Sequence, residues 1–195
     1  MTFSVTEFKS NLSQGGARPS LFKVDLKYPS GITSPTKKSE FFVRGASIPA
    51  ANLGTHEVFF HGKSIKVAGD RTFDTWDTTI INDEDFAIRK SIEAWMNSIA
   101  NLKLNTRKFS EGEGENVSYK ETLTVSQYGK TGDKILSYNF VNAFPTAISP
   151  ITLDWNASEI EEFTCTWTYD YWTRNVGTNS SQHDESEEGE MDEEP

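Results

Sequence analysis

Residues Ile65–Glu84 read IKVAGDRTFDTWDTTIINDE, a strand, a break, a second strand and a helix start in succession. Lys63–Ala68 and Thr72–Ile81 have the apolar and β-branched content of strands. Gly69-Asp70 between them reads as the turn that joins the two. Asn82 follows as a helix cap, with Asp85 three residues on in the capping-box position. Glu84 and Asp85 suit the positive end of a helix dipole. Ile88, Ile92, Trp95 and Ile99 recur at i, i+4, i+7 and i+11, which is one apolar stripe. A helix is expected from about Asp83 to Ala100, the one convincing helix of the chain.

Upstream, Phe22, Val24, Leu26 and Tyr28 alternate with Lys23, Asp25 and Lys27, the pattern of a half-buried strand over Leu21–Tyr28. Pro29–Lys38 reads as a turn-rich loop and Glu40–Arg44 (EFFVR) as a short strand. Ala46–Gly62 lacks periodicity but carries Val58-Phe59-Phe60, so it reads as a long loop with exposed aromatics, a common form of protein contact. Residues 1–17, rich in Ser and Gln and ending near Gly15-Gly16, read as a flexible arm.

Downstream, Asn105–Asn116 is a polar loop holding EGEGE. Tyr119–Tyr128 and Lys134–Phe140 flank Gly129–Gly132 as a hairpin. Pro145 and Pro150 interrupt the next segment. Phe163, Cys165, Trp167, Tyr169 and Tyr171 then alternate strictly with polar residues. The fold class is therefore mainly β: an antiparallel β-sandwich or barrel with one flanking α-helix. The body spans 18–174, between the arm and a tail over 175–195. The polar strand positions (Thr72, Thr75, Thr78, Thr79, Thr122, Thr124, Ser126, Thr164, Thr166 and Thr168) read as a threonine-rich surface, either plain solvent-facing strand residues or a sheet face that continues into neighbouring subunits and lines a water-filled space.

The chain has 195 residues and a formal net charge of −10. Eight acids and no Lys or Arg lie in His183–Pro195, so the rest is close to neutral, at about −2. Such a run cannot bury an apolar face and is expected to be disordered. Cys165 is the single cysteine, which excludes an intrachain disulfide and fits a reducing compartment. No run approaches ~18 consecutive apolar residues, and the first residues do not read as a signal peptide.

Motifs for catalysis are weak. Asn82-Asp83-Glu84-Asp85 lacks the alternate acids, bend glycine and later Glu of a calcium loop. His61-Gly62-Lys63-Ser64 imitates a phosphate loop, but Glu57 stands where the earlier glycine belongs. His56 and His61 lack a third ligand for zinc. No G-x-S-x-G elbow occurs, and Cys165 sits among core aromatics. The acid excess opposes sequence-independent DNA affinity. No enzyme, metal or cofactor is expected.

Five pieces carry a resemblance. Ala17-Arg18-Pro19-Ser20-Leu21-Phe22 opens the first strand. Ile65–Asp74 holds Gly69, Asp70, Arg71 and Phe73 and is followed by Trp76. Asn82-Asp83-Glu84 precedes the helix, Leu153-Asp154-Trp155 follows later, and Asp170-Tyr171-Trp172 closes the body. In this order, over Ala17–Trp172, the chain resembles the tail tube proteins of contractile-tailed bacteriophages. Three segments depart from that pattern: a long Pro29–Ser39, the EGEGE insert, and the extension after Trp172.

The resemblance implies packed antiparallel sheets with one helix, shared with type VI secretion tubes. It implies homohexameric rings stacked into a hollow tube in the virion, assembled in the host cytoplasm. Implied partners are further copies, the tail sheath protein, the baseplate and tail terminator proteins, and the tape measure protein in the bore. Phage DNA would pass without specific binding, and the host envelope would be met only during injection. Subunit and ring contacts would fall in the loop 46–62, with Val58, Phe59 and Phe60 as its anchors, in the N-terminal arm and at the chain ends, and Asp70 and Arg71 would stabilise the turn or an adjoining subunit. Two other readings stand beside it: a tube subunit of a DNA-free injection machine, and a carbohydrate-binding β-sandwich using Trp76, Trp155, Trp167 and Trp172.

Overall fold

Alternation along the last predicted strand sets the inside of the molecule. Phe163, Cys165, Trp167 and Tyr169 are buried, and Thr164, Thr166 and Thr168 between them are only half-buried. The computed structural model describes residues 4–12, 16–104, 106 and 119–176. Its elements are α1 (Val5–Asn11), β1 (Phe22–Asp25), α2 (Thr36–Phe42), β2 (Val43–Ala46), β3 (Asn52–Phe60), β4 (Lys63–Thr72), β5 (Trp76–Ile81), α3 (Ala87–Ile99), β6 (Glu121–Tyr128), β7 (Lys134–Ile148), β8 (Glu162–Thr168) and β9 (Tyr171–Val176). Most of the tail over 175–195 and most of the EGEGE loop lie outside the described residues.

Seven strands form one antiparallel sheet in the order β1-β6-β7-β8-β5-β2, and β9 pairs with β7 beside this path. β7 makes the corner. Its first part, Lys134–Ala143, pairs with β6, and Leu136–Val141 also pairs with β9. Its last part, Phe144–Ile148, pairs with β8. The change of partner falls at Asn142, whose φ is +58°, just before a register shift at Pro145 and Ala147. A strand that passes between sheets through a bend or bulge turns one sheet into a two-layered sandwich. Pro145 therefore sits at the irregularity instead of ending the strand.

The space between the layers is filled mainly by rings. Trp76 stacks on Phe140 with centroids 4.2 Å apart, and Trp95 of α3 meets Trp167 at 5.6 Å and Tyr28 at 5.8 Å. Each buried indole N–H has an acceptor. Trp76 donates to the Ser47 carbonyl at 2.8 Å, Trp95 to the Tyr119 carbonyl at 2.8 Å and Trp167 to Thr78 Oγ1 at 2.9 Å. The α3 stripe seals this core with Ile88, Ile92 and Trp95, and Ile99 packs at its edge.

Several expectations need correction. Glu40–Arg44 is divided between the end of α2 and the start of β2, because Lys38 and Ser39 donate N–H bonds to the Pro35 carbonyl and start a helix. The described residues form three helices, and one of them, α1, lies within the arm 1–17. Ala46–Gly62 is mostly strand. Gly69-Asp70 is not a turn but lies inside β4, and the break falls at residues 73–75. Asn82 does not cap α3. Its N–H bonds the Glu161 carbonyl and its amide bonds Glu161 Oε2, which extends the β5 edge by one residue. α3 begins only after Phe86, held at φ +54°, and Asp85 Oδ1 accepts from the Ala87 N–H at 3.0 Å. Of the threonine-rich surface, Thr78 and Ser126 are buried.

Candidate functional site

Asn52–Phe60 and Lys63–Thr72 form a separate two-stranded antiparallel sheet that pairs with no other strand among the described residues. His61 (φ +45°) and Gly62 (φ +78°) make the two-residue connection. Positive φ at both central positions is the twist-matched type I′ turn, which asks for glycine or a tolerant residue such as His. The Phe60 ring rests edge-on against His61 at 4.2 Å.

Cross-strand partners share a face, so the register divides the hairpin into two chemistries. His56↔Val67, Val58↔Ile65 and Phe60↔Lys63 lie on one face. Thr55↔Ala68, Glu57↔Lys66 and Phe59↔Ser64 lie on the other, where Lys66 and Glu57 approach to 3.9 Å. The first face is apolar with one cation. No body element covers it: Val58, Phe60, Ile65 and Val67 stay 54%, 65%, 57% and 50% exposed. Extended apolar patches of this kind mark contact with another molecule.

Near its base the hairpin is crowded where two glycines meet. A Cβ on Gly69 would lie 2.9 Å from the His56 ring and 3.1 Å from the Gly54 carbonyl carbon. The register shift between Leu53 and Thr55 lies at this crossing. Gly69 is therefore required for close approach and not for a reverse turn. The base is tied to the body by Asn52, which donates to Asp74, and by Trp172, which donates to the Ala50 carbonyl at 3.2 Å.

Of the contact residues expected from sequence, Val58 and Phe60 fall on the apolar face and Phe59 on the opposite one. Asp70 and Arg71 lie exposed in the base of β4. The motif residues separate into two groups. Phe22, Phe73, Trp76 and Trp172 are packed: Phe73 meets Tyr169 at 6.1 Å and Trp172 meets Tyr138 at 5.4 Å. Arg18, Pro19, Glu84, Asp154, Trp155 and Tyr171 are exposed. Asp154 ends a turn by accepting the Asn156 N–H at 2.9 Å. Asp83 and Asp85 both bond the Lys38 ammonium, which holds Asp85 below the usual carboxylate range and raises Lys38.

Sequence reasoning missed Ile65 and Val67, which complete the apolar face, and the exposed Leu153 and Ile160. The signal was present in Phe60-His61-Gly62-Lys63 flanked by alternating residues. It is legible on the β4 side and masked on the β3 side, where Val58-Phe59-Phe60 puts apolar residues on both faces and breaks the alternation.

The four tryptophans proposed for sugar stacking do not form a platform. Trp76 and Trp167 are buried, Trp172 is packed on Tyr138, and only Trp155 is fully exposed. Among the described residues, no group of three or more His, Cys, Asp or Glu could hold a metal ion. No helix of the described residues is long and apolar enough to cross a membrane.

Residues 17–175 match the phage tail tube protein family. The chain belongs to that family. It is 29% identical over 164 residues to the tail tube protein gp19 of Enterobacteria phage T4, covering 80% of this chain and 90% of that protein. The tail tube protein of Serratia phage KSP90 is 23% identical over 171 residues, covering 85% and 94%. Among solved structures, the fold is similar to the anti-feeding prophage tube-terminating cap (TM-score 0.61, 19% identity, 91% of this chain and 97% of that one). It is also similar to a chain of the sheath-tube complex of an extracellular contractile injection system (TM-score 0.59, 15% identity, 90% and 99%). The tail tube family assignment covers both the sandwich and the hairpin.

Proposed function

We propose that this chain is the structural subunit of the inner tube of a contractile phage tail. Copies close into homohexameric rings, and the rings stack. The observation that carries this reading is the β3–β4 hairpin, an apolar sheet face that covers nothing in its own chain. A heterologous contact repeated around an axis closes a ring, and obligate contacts of this sort bury roughly 2,000 Å² or more.

The role is mechanical, without catalysis. A sheath surrounds the tube and drives it through the host envelope, with a baseplate at one end and a terminator at the other. Assembly takes place in the host cytoplasm around the tape measure protein. Phage DNA then passes along a bore lined by polar strand residues. Hydroxyls on the outward faces of both layers are already engaged across strands, so either layer could form that wall: Thr124 donates to Asn139 on one, and Thr166 to Asp77 and Thr146 to the Thr166 carbonyl on the other. A near-neutral wall with its donors engaged gives little hold on phosphates. That the fold is also similar to injection-system tubes supports a second use of the same subunit, in a particle that delivers no DNA.

Electron microscopy of the purified protein tests this. Rings or tubes with a central bore are expected. A compact monomer at every concentration, with no tube in the assembled particle, overturns it.

A further inference from the structure

The apolar face of the hairpin has a complementary surface elsewhere on the same chain. A cleft of about 930 Å³ runs along the connection between β7 and β8. It exposes Leu153, Trp155 and Ile160, and its acids include Asp154, Glu159 and Glu161. Arg44, also in the lining, is neutralised by Glu162. Glu159 has no bonded partner among the described residues.

Between His56 and Val67, the hairpin's apolar face carries one formally charged side chain, Lys63, opposite Phe60. Lys63 also lacks an ion-pair partner among the described residues. We propose that the hairpin of one copy docks in the β7–β8 cleft of the next, with Phe60 and Ile65 against Trp155 and Ile160 and Lys63 facing Glu159. This rests on the tube reading and names the receptor surface for its contact. The alternative, hairpin against hairpin, would bring Lys63 of each copy onto one shared apolar face and place like charges together. Docking in the cleft opposes unlike charges and joins two different surfaces, which is the geometry that propagates around an axis.

The test uses single-cysteine additions at exposed positions, Phe60→Cys and Trp155→Cys, in the full chain. Cys165 is buried and does not compete. Each variant is assembled alone and in a mixture, then treated with a short bis-maleimide. Covalent dimers in the mixture, and none from either variant alone, are expected. Lys63→Glu should weaken assembly, and adding Glu159→Lys to the same chain should restore it. Rings or tubes that form without cross-links in the mixture overturn the docking and leave the tube reading standing. Phe60→Cys linking to itself assigns the hairpin to a symmetric contact and also overturns the docking. An unmodified chain that never assembles overturns the tube reading and the docking with it.

Discussion

Thr78 shows how one side chain can be polar in sequence and structural in role. It lies on β5 between Asp77 and Thr79, yet it is fully buried, and its Oγ1 accepts the Trp167 N–H at 2.9 Å. Thr78→Val keeps the shape and removes the acceptor. An unsatisfied buried donor costs about 1–3 kcal/mol, so chemical denaturation should show a loss of that size with the fold retained. An unchanged midpoint would show that Trp167 finds another acceptor. Cys165, on the paired strand, is fully buried, and burial pushes its thiol well above the ordinary range. Burial does the same to the Tyr28 phenol. Both groups hold their protons more tightly folded than unfolded, so unfolding releases protons at alkaline pH. Stability is therefore full below the ordinary thiol and phenol values and falls as pH rises through roughly 8.5 to 10. Unfolding midpoints measured across that range should decline. At neutral pH Cys165 should resist alkylation until the protein is unfolded, because the reactive thiolate is suppressed.

The clearest strand signals come from strands buried on one face: β1, β6 and β8 alternate because one side packs in the core and the other does not. Legibility failed where a tertiary partner overrode local pattern. Asn82 looks like a helix cap, but the Glu161 backbone and side chain take it into the sheet, so α3 starts later. Phe41-Phe42 looks like strand, but α2 leaves Phe41 81% exposed and turns Phe42 to the core. The hairpin is half legible: Lys63–Ala68 reads as a strand and opens β4, whereas β3 falls in the stretch 46–62 that reads as a loop, both faces of the pair meeting solvent in the single chain. Of the residues expected there as contacts by the resemblance, Val58 and Phe60 share the apolar face and Phe59 lies on the opposite one. Its Gly69 reads as a turn residue but lies inside β4, where the close passage of His56 and Gly54 leaves no room for a Cβ. Gly69→Val should therefore distort the hairpin and leave the sandwich intact, because no residue of β3 or β4 belongs to the core cluster. Electron microscopy should show few or no rings, while the unfolding midpoint of the monomer stays within the roughly 0.5 kcal/mol typical of surface changes. A large drop in monomer stability would mean that the hairpin supports the core after all.

In the single chain, the sandwich and the hairpin draw their stability from different sources. The sandwich is a closed aromatic core with satisfied indoles and needs no partner. The hairpin leaves its apolar face in water, and a two-stranded sheet alone is marginal. Its order is therefore coupled to assembly, and mass action links the two. A partner that binds only the folded form stabilises it in proportion to the logarithm of its concentration. The melting temperature of the wild-type chain should rise with protein concentration as rings form. Val58→Asp combined with Phe60→Asp places two carboxylates on the apolar face without touching the core. Burying them in a contact would require removing two charges from water, so rings should be lost at all accessible concentrations. The variant should then melt at one temperature regardless of concentration, near that of the dilute wild type. Sedimentation velocity gives the assembly state, and thermal unfolding of the same samples gives the linkage. A wild-type melting temperature that ignores concentration while rings are present would separate hairpin order from assembly and sink this account. So would rings that persist in the double variant.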